Sequence, residues 1–144
     1  IILITIISLT VISCSSSDDS KTTTTSSVSF VAVGTSGTLL TSSDGTSWTS
    51  RTSGTSNGLQ RVIYANSTFV TVGDSGTILT SSDGISWTSR TSGATEQLYR
   101  VTYGNSTYVI VGQSGTILTS SNGISWTSRT SGTTQHLYGV TYSQ

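Results

Sequence analysis

Few residues of this chain are equipped for chemistry, and their spacing limits what each can do. Its 144 residues hold six acidic side chains, six basic ones, one histidine, one cysteine and no methionine. Glycoside hydrolysis needs two carboxyl groups facing one bond. Asp44 and Asp83 instead stand 39 residues apart, at equivalent places in successive copies of a repeat, so a repeating fold holds them apart. Asp74 falls in a turn where the neighbouring copies have Thr35 and Gln113, and Glu96, the only glutamate, falls between repeats. His136 takes the place of Gln97 and Gly58, a surface loop position with no nucleophile beside it for general-base work. Serine is abundant, but there is no Gly-x-Ser-x-Gly elbow. Calcium favours several clustered carboxylates, and each repeated turn has at most one. These residues therefore predict no enzyme activity, no cofactor and no metal.

The arginines divide into two sets. Arg51, Arg90 and Arg129 recur on a polar stretch expected to be an outer strand, where solubility and edge protection are sufficient reasons for them. Arg61 and Arg100 fall on the expected innermost strand, where the third copy has Gly139. Such a pair could grip an anionic partner; the alternative is stem packing with the guanidinium in water.

Composition narrows the rest. Charged residues are 8% of the chain, with formal net charge zero, against a usual ~25% charged. No basic face is available for nucleic acid, and one cysteine makes no disulfide framework. The charged, helix-favouring residues of a coiled coil are scarce. Ser and Thr together supply 60 residues, while proline is absent.

Ile1 to Ser13 form an apolar, uncharged run, shorter than the roughly 20 residues that span a bilayer. It reads as the core of a secretory signal (residues 1–13) whose basic start is missing. The following Val11-Ile12-Ser13-Cys14 resembles a bacterial lipobox. The resemblance implies a diacylglyceryl thioether on Cys14, cleavage before it and acylation of the new amino terminus. Two or more acyl chains give stable anchoring where one does not. The alternative is a free cysteine closing an ordinary signal. Residues 14–27, rich in Ser and Thr, read as a tether with nothing to bury. By the same resemblance, Ser15 after the cysteine implies the outer membrane. Asp18-Asp19 loosely resembles a surface-export signal, although a solvated linker accounts for the pair. The expected location is the bacterial cell envelope, with the membrane engaged through the lipid.

The remainder, 28–144, is one unit repeated. Trp48, Trp87 and Trp126 recur every 39 residues, as do Gly34, Gly73 and Gly112, and Leu59, Leu98 and Leu137. Each unit holds four strand candidates. Leu98 to Tyr103 alternates, with Tyr99, Val101 and Tyr103 on one face, and Gly104-Asn105 marks a turn. Tyr108 to Val111 reads as buried on both faces. Gln113-Ser114-Gly115 turns the chain into Thr116 to Ser120. Asn122-Gly123 then signals a hairpin, because both residues tolerate positive φ, leading to a mostly polar strand from Ile124 to Thr130. Four antiparallel strands per ~40 residues predict an all-β fold, a β-propeller of four-stranded blades over about 31–69, 70–108 and 109–144. A parallel β-helix is the competing fold. The first copy begins at its second strand and the last segment, Leu137 to Tyr142, reads as a first strand. Three blades are fewer than the usual 4–8. With no initiating Met, the expectation is a longer natural chain, or several chains in one ring.

The repeated turn carries the family likeness. Ser42-Ser43-Asp44-Gly45-Thr46-Ser47-Trp48 returns with Ser81, Asp83, Gly84 and Trp87, and again with Ser120, Asn122, Gly123 and Trp126. It resembles the Asp-box of BNR-type propellers such as sialidases, with the residue between Asp and Gly missing. It is also similar to repeats in bacterial propellers related to the photosystem II assembly and stability factor. The side chain at the Asp or Asn position is expected to accept backbone N–H groups two residues on, with glycine at positive φ and the indole packed at the edge. A structural role is thus expected for every box. Asn66-Ser67-Thr68 and Asn105-Ser106-Thr107 match glycosylation sequons, but turn formation explains them. The functional expectation is a non-catalytic envelope lipoprotein that binds a protein or glycan, or scaffolds one. In the photosystem-factor family an arginine patch contacts assembly partners, which points to Arg61 and Arg100. The alternatives are a fragment of a sialidase-type glycoside hydrolase whose catalytic blades lie elsewhere, and a photosystem II assembly factor-like protein.

Overall fold

The computed structural model describes residues 27–143. The signal, Cys14 and nearly all of the tether therefore lie outside the described residues. Three antiparallel sheets follow one another along the chain. The first contains β1 (Phe30–Val33), β2 (Leu39–Ser42) and β3 (Thr49–Ser50). The second contains β4 (Leu59–Ala65), β5 (Thr68–Gly73), β6 (Ile78–Ser81) and β7 (Thr88–Arg90). The third contains β8 (Leu98–Gly104), β9 (Thr107–Gly112), β10 (Ile117–Ser120) and β11 (Thr127–Arg129). Strand order within each sheet is sequence order and every pair is antiparallel. That excludes the parallel β-helix among the described residues.

The β-branched runs form strands because their side chains pack well on a pleated, half-buried surface. Here the middle strands are buried on both faces, and the core lies between successive sheets. Val70, Val72, Ile78, Leu98, Val101, Tyr108, Ile110 and Leu118 fill the junction of the second and third sheets. Leu39, Leu59 and Leu79 fill that of the first and second, with Val31, Val33 and Trp87 against them. The hydroxyl of buried Tyr108 donates to the carbonyl of Ala65 at 2.6 Å and so ties β9 to β4 of the preceding sheet. At Thr71 the same kind of interior carries a flaw. Its Oγ1 is buried and finds no hydrogen-bond partner among the described residues, in a column filled by Ala32 and Ile110 in the other copies.

Four sequence expectations need correction. The inner strand does not alternate evenly. Pairing runs Leu98↔Gly112 and then Arg100↔Val111, so Tyr99 is the extra residue of a β-bulge, and Leu98 and Val101 are both buried. The second sheet repeats this between Leu59 and Arg61. The outer strand is Thr127–Arg129 rather than Ile124 to Thr130, because the N–H groups of Ile124 and Ser125 are taken by the Asn122 side chain. For the same reason Asn122-Gly123 is no two-residue hairpin; only Gly123 has positive φ, at 72°. The true two-residue turns are Asn66-Ser67 and Asn105-Ser106, with φ of 47°, 56°, 46° and 55°. Finally, Leu137 to Tyr142 forms no strand, although Leu137 N–H donates to Gly112 O at 3.0 Å, as Leu59 N–H does to Gly34 O at 2.9 Å.

The segment joining consecutive sheets packs over a tight turn within the sheet. β5 and β6 are linked by the 3-10 turn Asp74–Gly76, and the segment after β7 crosses over it. Gly76 N–H donates to Glu96 O at 2.8 Å. Its φ is +67°, and a Cβ there would fall on the Ala94 carbonyl oxygen. Gly37 and Gly115 stand in the same relation to the carbonyls of Thr55 and Thr133. Each crossing segment is held by a serine: Ser92 Oγ donates to Ala94 O and accepts its N–H, at 3.2 and 3.1 Å.

Two stability measurements follow. Gly76→Ala should cost ~3 kcal/mol, from left-handed strain plus collision. Gly93→Ala, at φ +73° with nothing nearby, should cost only ~1 kcal/mol; equal losses in urea unfolding would remove the collision. Thr71→Val should stabilise by ~1 kcal/mol, since it removes an unpaired buried hydroxyl at constant shape; a lower unfolding midpoint would count against this.

Candidate functional site

The antiparallel strand order gives each sheet two edges of different chemistry. One edge carries the Ser-x-Asp-Gly boxes and the Asn-Ser turns; the other carries the 3-10 turns, the crossing segments and the starts of the inner strands. In the boxes the polar side chains are consumed by the backbone. Asp44 Oδ1 accepts the N–H groups of Thr46 and Ser47 at 2.8 and 2.9 Å and the Ser42 hydroxyl at 3.0 Å. Ser42 Oγ in turn accepts Gly45 N–H at 2.8 Å. Asp83 does the same with Ile85, Ser86 and Ser81, and Ser81 with Gly84. Neutral Asn122 reproduces every bond, with Ile124, Ser125 and Ser120. Gly45, Gly84 and Gly123 lie at φ of 77°, 73° and 72°.

The electrostatics follow from these donors. The backbone N–H of Ser47, then that of Thr46, holds the Asp44 carboxyl far below the usual carboxylate range. Those of Ser86 and Ile85 lower Asp83. Glu96 is lowered by its own N–H and that of Thr95. Burial pushes the Tyr108 phenol up. The indoles close the boxes: Trp87 Nε1 donates to Gly84 O at 3.0 Å and Trp126 Nε1 to Gly123 O at 3.2 Å, while Trp48 is 43% exposed. Their rings lie 6.3 Å from Phe69 and 6.2 Å from Tyr108.

The two inner arginines come together. Arg61 and Arg100 are exposed and line one open groove of about 350 Å³ with Tyr64, Tyr103 and Gly139. Among the described residues neither guanidinium pairs with a carboxylate; Arg100 Nη1 donates to Tyr99 O at 3.2 Å. The outer arginines are engaged instead in their own sheets. Arg51, Arg90 and Arg129 each donate from Nε to a threonine hydroxyl of the neighbouring strand, Thr41, Thr80 and Thr119, at 2.8–2.9 Å. Cys14 lies outside the described residues.

The 3-10 edge holds groups that spacing alone did not bring together. Asp74 Oδ1 accepts the side-chain amides of Gln60, on β4, and of Gln97, in the segment that leads into β8. His136 is not isolated: its Nδ1 accepts Ser114 N–H at 3.0 Å, and its ring lies 6.4 Å from Tyr99 and 6.0 Å from Tyr138. Tyr99 and Tyr138 stack at 5.0 Å. The 39-residue step from Tyr99 to Tyr138 was the available signal, since equivalent residues of successive copies become neighbours. Among the described residues no group of three His, Cys, Asp or Glu side chains is arranged to hold a metal ion.

Compared with known proteins, the chain matches no family model, no curated protein and no solved structure.

The boxes yield a pH test. A carboxyl whose folded pKa is lowered adds stability that is present above its unfolded pKa, ~3.9 for Asp, and lost as pH falls through the folded value. Asp44→Asn/Asp83→Asn should keep the turn bonds, as Asn122 does, and flatten the acid limb of the stability profile. Asp83→Ala should lower Tm at neutral pH. An unchanged acid limb in the double variant would contradict the assignment.

Proposed function

We propose that the three sheets are successive blades of a β-propeller, and that the chain is a non-catalytic, lipid-anchored module of a bacterial cell envelope. It binds or scaffolds a protein or glycan partner on the side where the inner strands meet. One observation carries the reading: β4 and β8 adjoin, and the guanidinium groups of Arg61 and Arg100, which pair with no carboxylate among the described residues, line one groove. Desolvating two planar, always-charged forks is justified when a partner supplies the acceptors. The 39-residue spacing and inner-to-outer strand order support the blades.

The box carboxylates argue for the non-catalytic side. Each accepts backbone donors and is held ionised, which suits a turn acceptor and opposes the raised pKa of a proton donor. The sialidase-type hydrolase and the photosystem II assembly factor-like protein remain the rival readings, and both share the propeller. Lipidation at Cys14 rests on the lipobox resemblance, and placement at the outer membrane or cell surface on Ser15.

The experiment uses the complete protein expressed with its signal in a bacterial host. Cys14→Ala should abolish labelling by a fatty acid and move the protein out of the membrane fraction. Negative-stain images of the released protein should show a ring with a central channel. Retention in the membrane without label would remove the anchor, and an open stack of sheets would remove the propeller.

A further inference from the structure

Comparison of the three copies divides the molecule. Residues that build the fold must satisfy the same geometry in every copy, and they are nearly the same residues. The box edge keeps its Ser, Gly and Trp, and its one change of charge, Asp83 to Asn122, leaves the bonds in place. The 3-10 edge does not. There the turn position is Thr35, Asp74 or Gln113, and the equivalent place in the crossing segment is Gly58, Gln97 or His136. The backbone bonds at this edge are nonetheless preserved, with Asp74 N–H on Gly58 O at 2.9 Å and Gln113 N–H on Gln97 O at 2.8 Å. Side chains here thus vary in charge and shape without being needed for the turn.

The side chains at this edge form two groups, linked along the chain through Gln97-Leu98-Tyr99. Tyr99 and Tyr138 lie nearly parallel, 29° apart, and Tyr138 is 64% exposed. His136 stands edge-on to both, at 65° and 88°. The bond from Ser114 N–H to Nδ1 leaves Nε2 as the protonated nitrogen of the neutral ring. In the row of equivalent positions, exposed Gln60 precedes the two tyrosines, and its amide is held by Asp74 together with that of Gln97.

We infer that this edge is a carbohydrate-binding platform, with the Tyr99–Tyr138 step carrying the sugar and His136 and the Gln60–Asp74–Gln97 group reading its hydroxyls. The inference rests on the binding-module reading above. A pyranose has an apolar C–H face that seats on the negative face of an aromatic ring. Its hydroxyls donate and accept, which planar amides, a carboxylate and an imidazole N–H answer in kind. A stacked step flanked by polar groups fits a neutral oligosaccharide. An apolar peptide would want a pocket in place of an exposed step, and an anion would be drawn to the arginine groove.

The test is titration of the protein with cellohexaose, chitohexaose and mannohexaose, followed by amide NMR shifts. At least one should perturb Gln60, Tyr99, His136 and Tyr138 together. Tyr138→Ala should weaken binding about tenfold with Tm unchanged, because the residue lies in an exposed irregular segment, and Tyr138→Phe should restore it. Shifts confined to the Arg61–Arg100 groove would overturn the platform while leaving the binding module standing. No shift with any of the three at roughly 10 mM, a concentration that reveals even millimolar binding, would overturn it as well. Platform shifts accompanied by release of reducing ends would support the platform and overturn the non-catalytic reading.

Discussion

The segment that leaves each outer strand must pass close enough to a 3-10 turn for its carbonyl to occupy the space of a side chain. Gly37, Gly76 and Gly115 answer that constraint twice over, by accepting positive φ and by having no Cβ. Much else depends on this contact. It sets where the next inner strand begins, and so which leucine, Leu59 or Leu98, enters the junction between sheets. It also fixes the crossing segment that carries Gln97 and His136 to the edge where they meet Asp74 and Ser114. The serines at Ser53, Ser92 and Ser131 serve the same contact, each bonding two residues ahead.

Low charge and abundant hydroxyls then make physical sense together. A chain with so few ionic groups has little long-range electrostatics with which to order its loops. Short-range bonds do that work: Ser42, Ser81 and Ser120 accept backbone N–H groups, and Thr41, Thr80 and Thr119 receive arginine donors. The carboxylates of the boxes belong to this local economy, and Asn122 demonstrates that their geometry matters more than their charge. Among the described residues neither inner guanidinium pairs with a carboxylate, and Tyr138, stacked on Tyr99, stays largely exposed.

Repetition explains both the regularity and the exceptions. Identical copies give identical turns, and residues 39 apart become neighbours wherever adjacent sheets touch. Phe69 and Tyr108 hold equivalent places in successive copies, and the single added hydroxyl of Tyr108 reaches across to Ala65 of the preceding sheet. Tyr99 and Tyr138 do so too, and they stack because the inner strand and the segment that follows the third sheet run side by side.

The sequence by itself determined the all-β class, the 39-residue unit, its four strands and the identity of the turn residues. These are local matters: β-branched density, glycine at turns, and side chains that bond backbone within three residues. The bulge at Tyr99 was not legible, because alternation counts residues and cannot see one left unpaired against β9. The length of the outer strand was not legible either, since it depends on whether the N–H groups of Ile124 and Ser125 choose the ladder or the Asn122 side chain. The boxes could be read from the sequence because their partners are two or three residues away. The joining of Gln60 and Gln97 on Asp74, and of His136 with two tyrosines, could not. Those contacts form only after strands have paired and successive copies have packed, which are long-range decisions that only the tertiary structure makes.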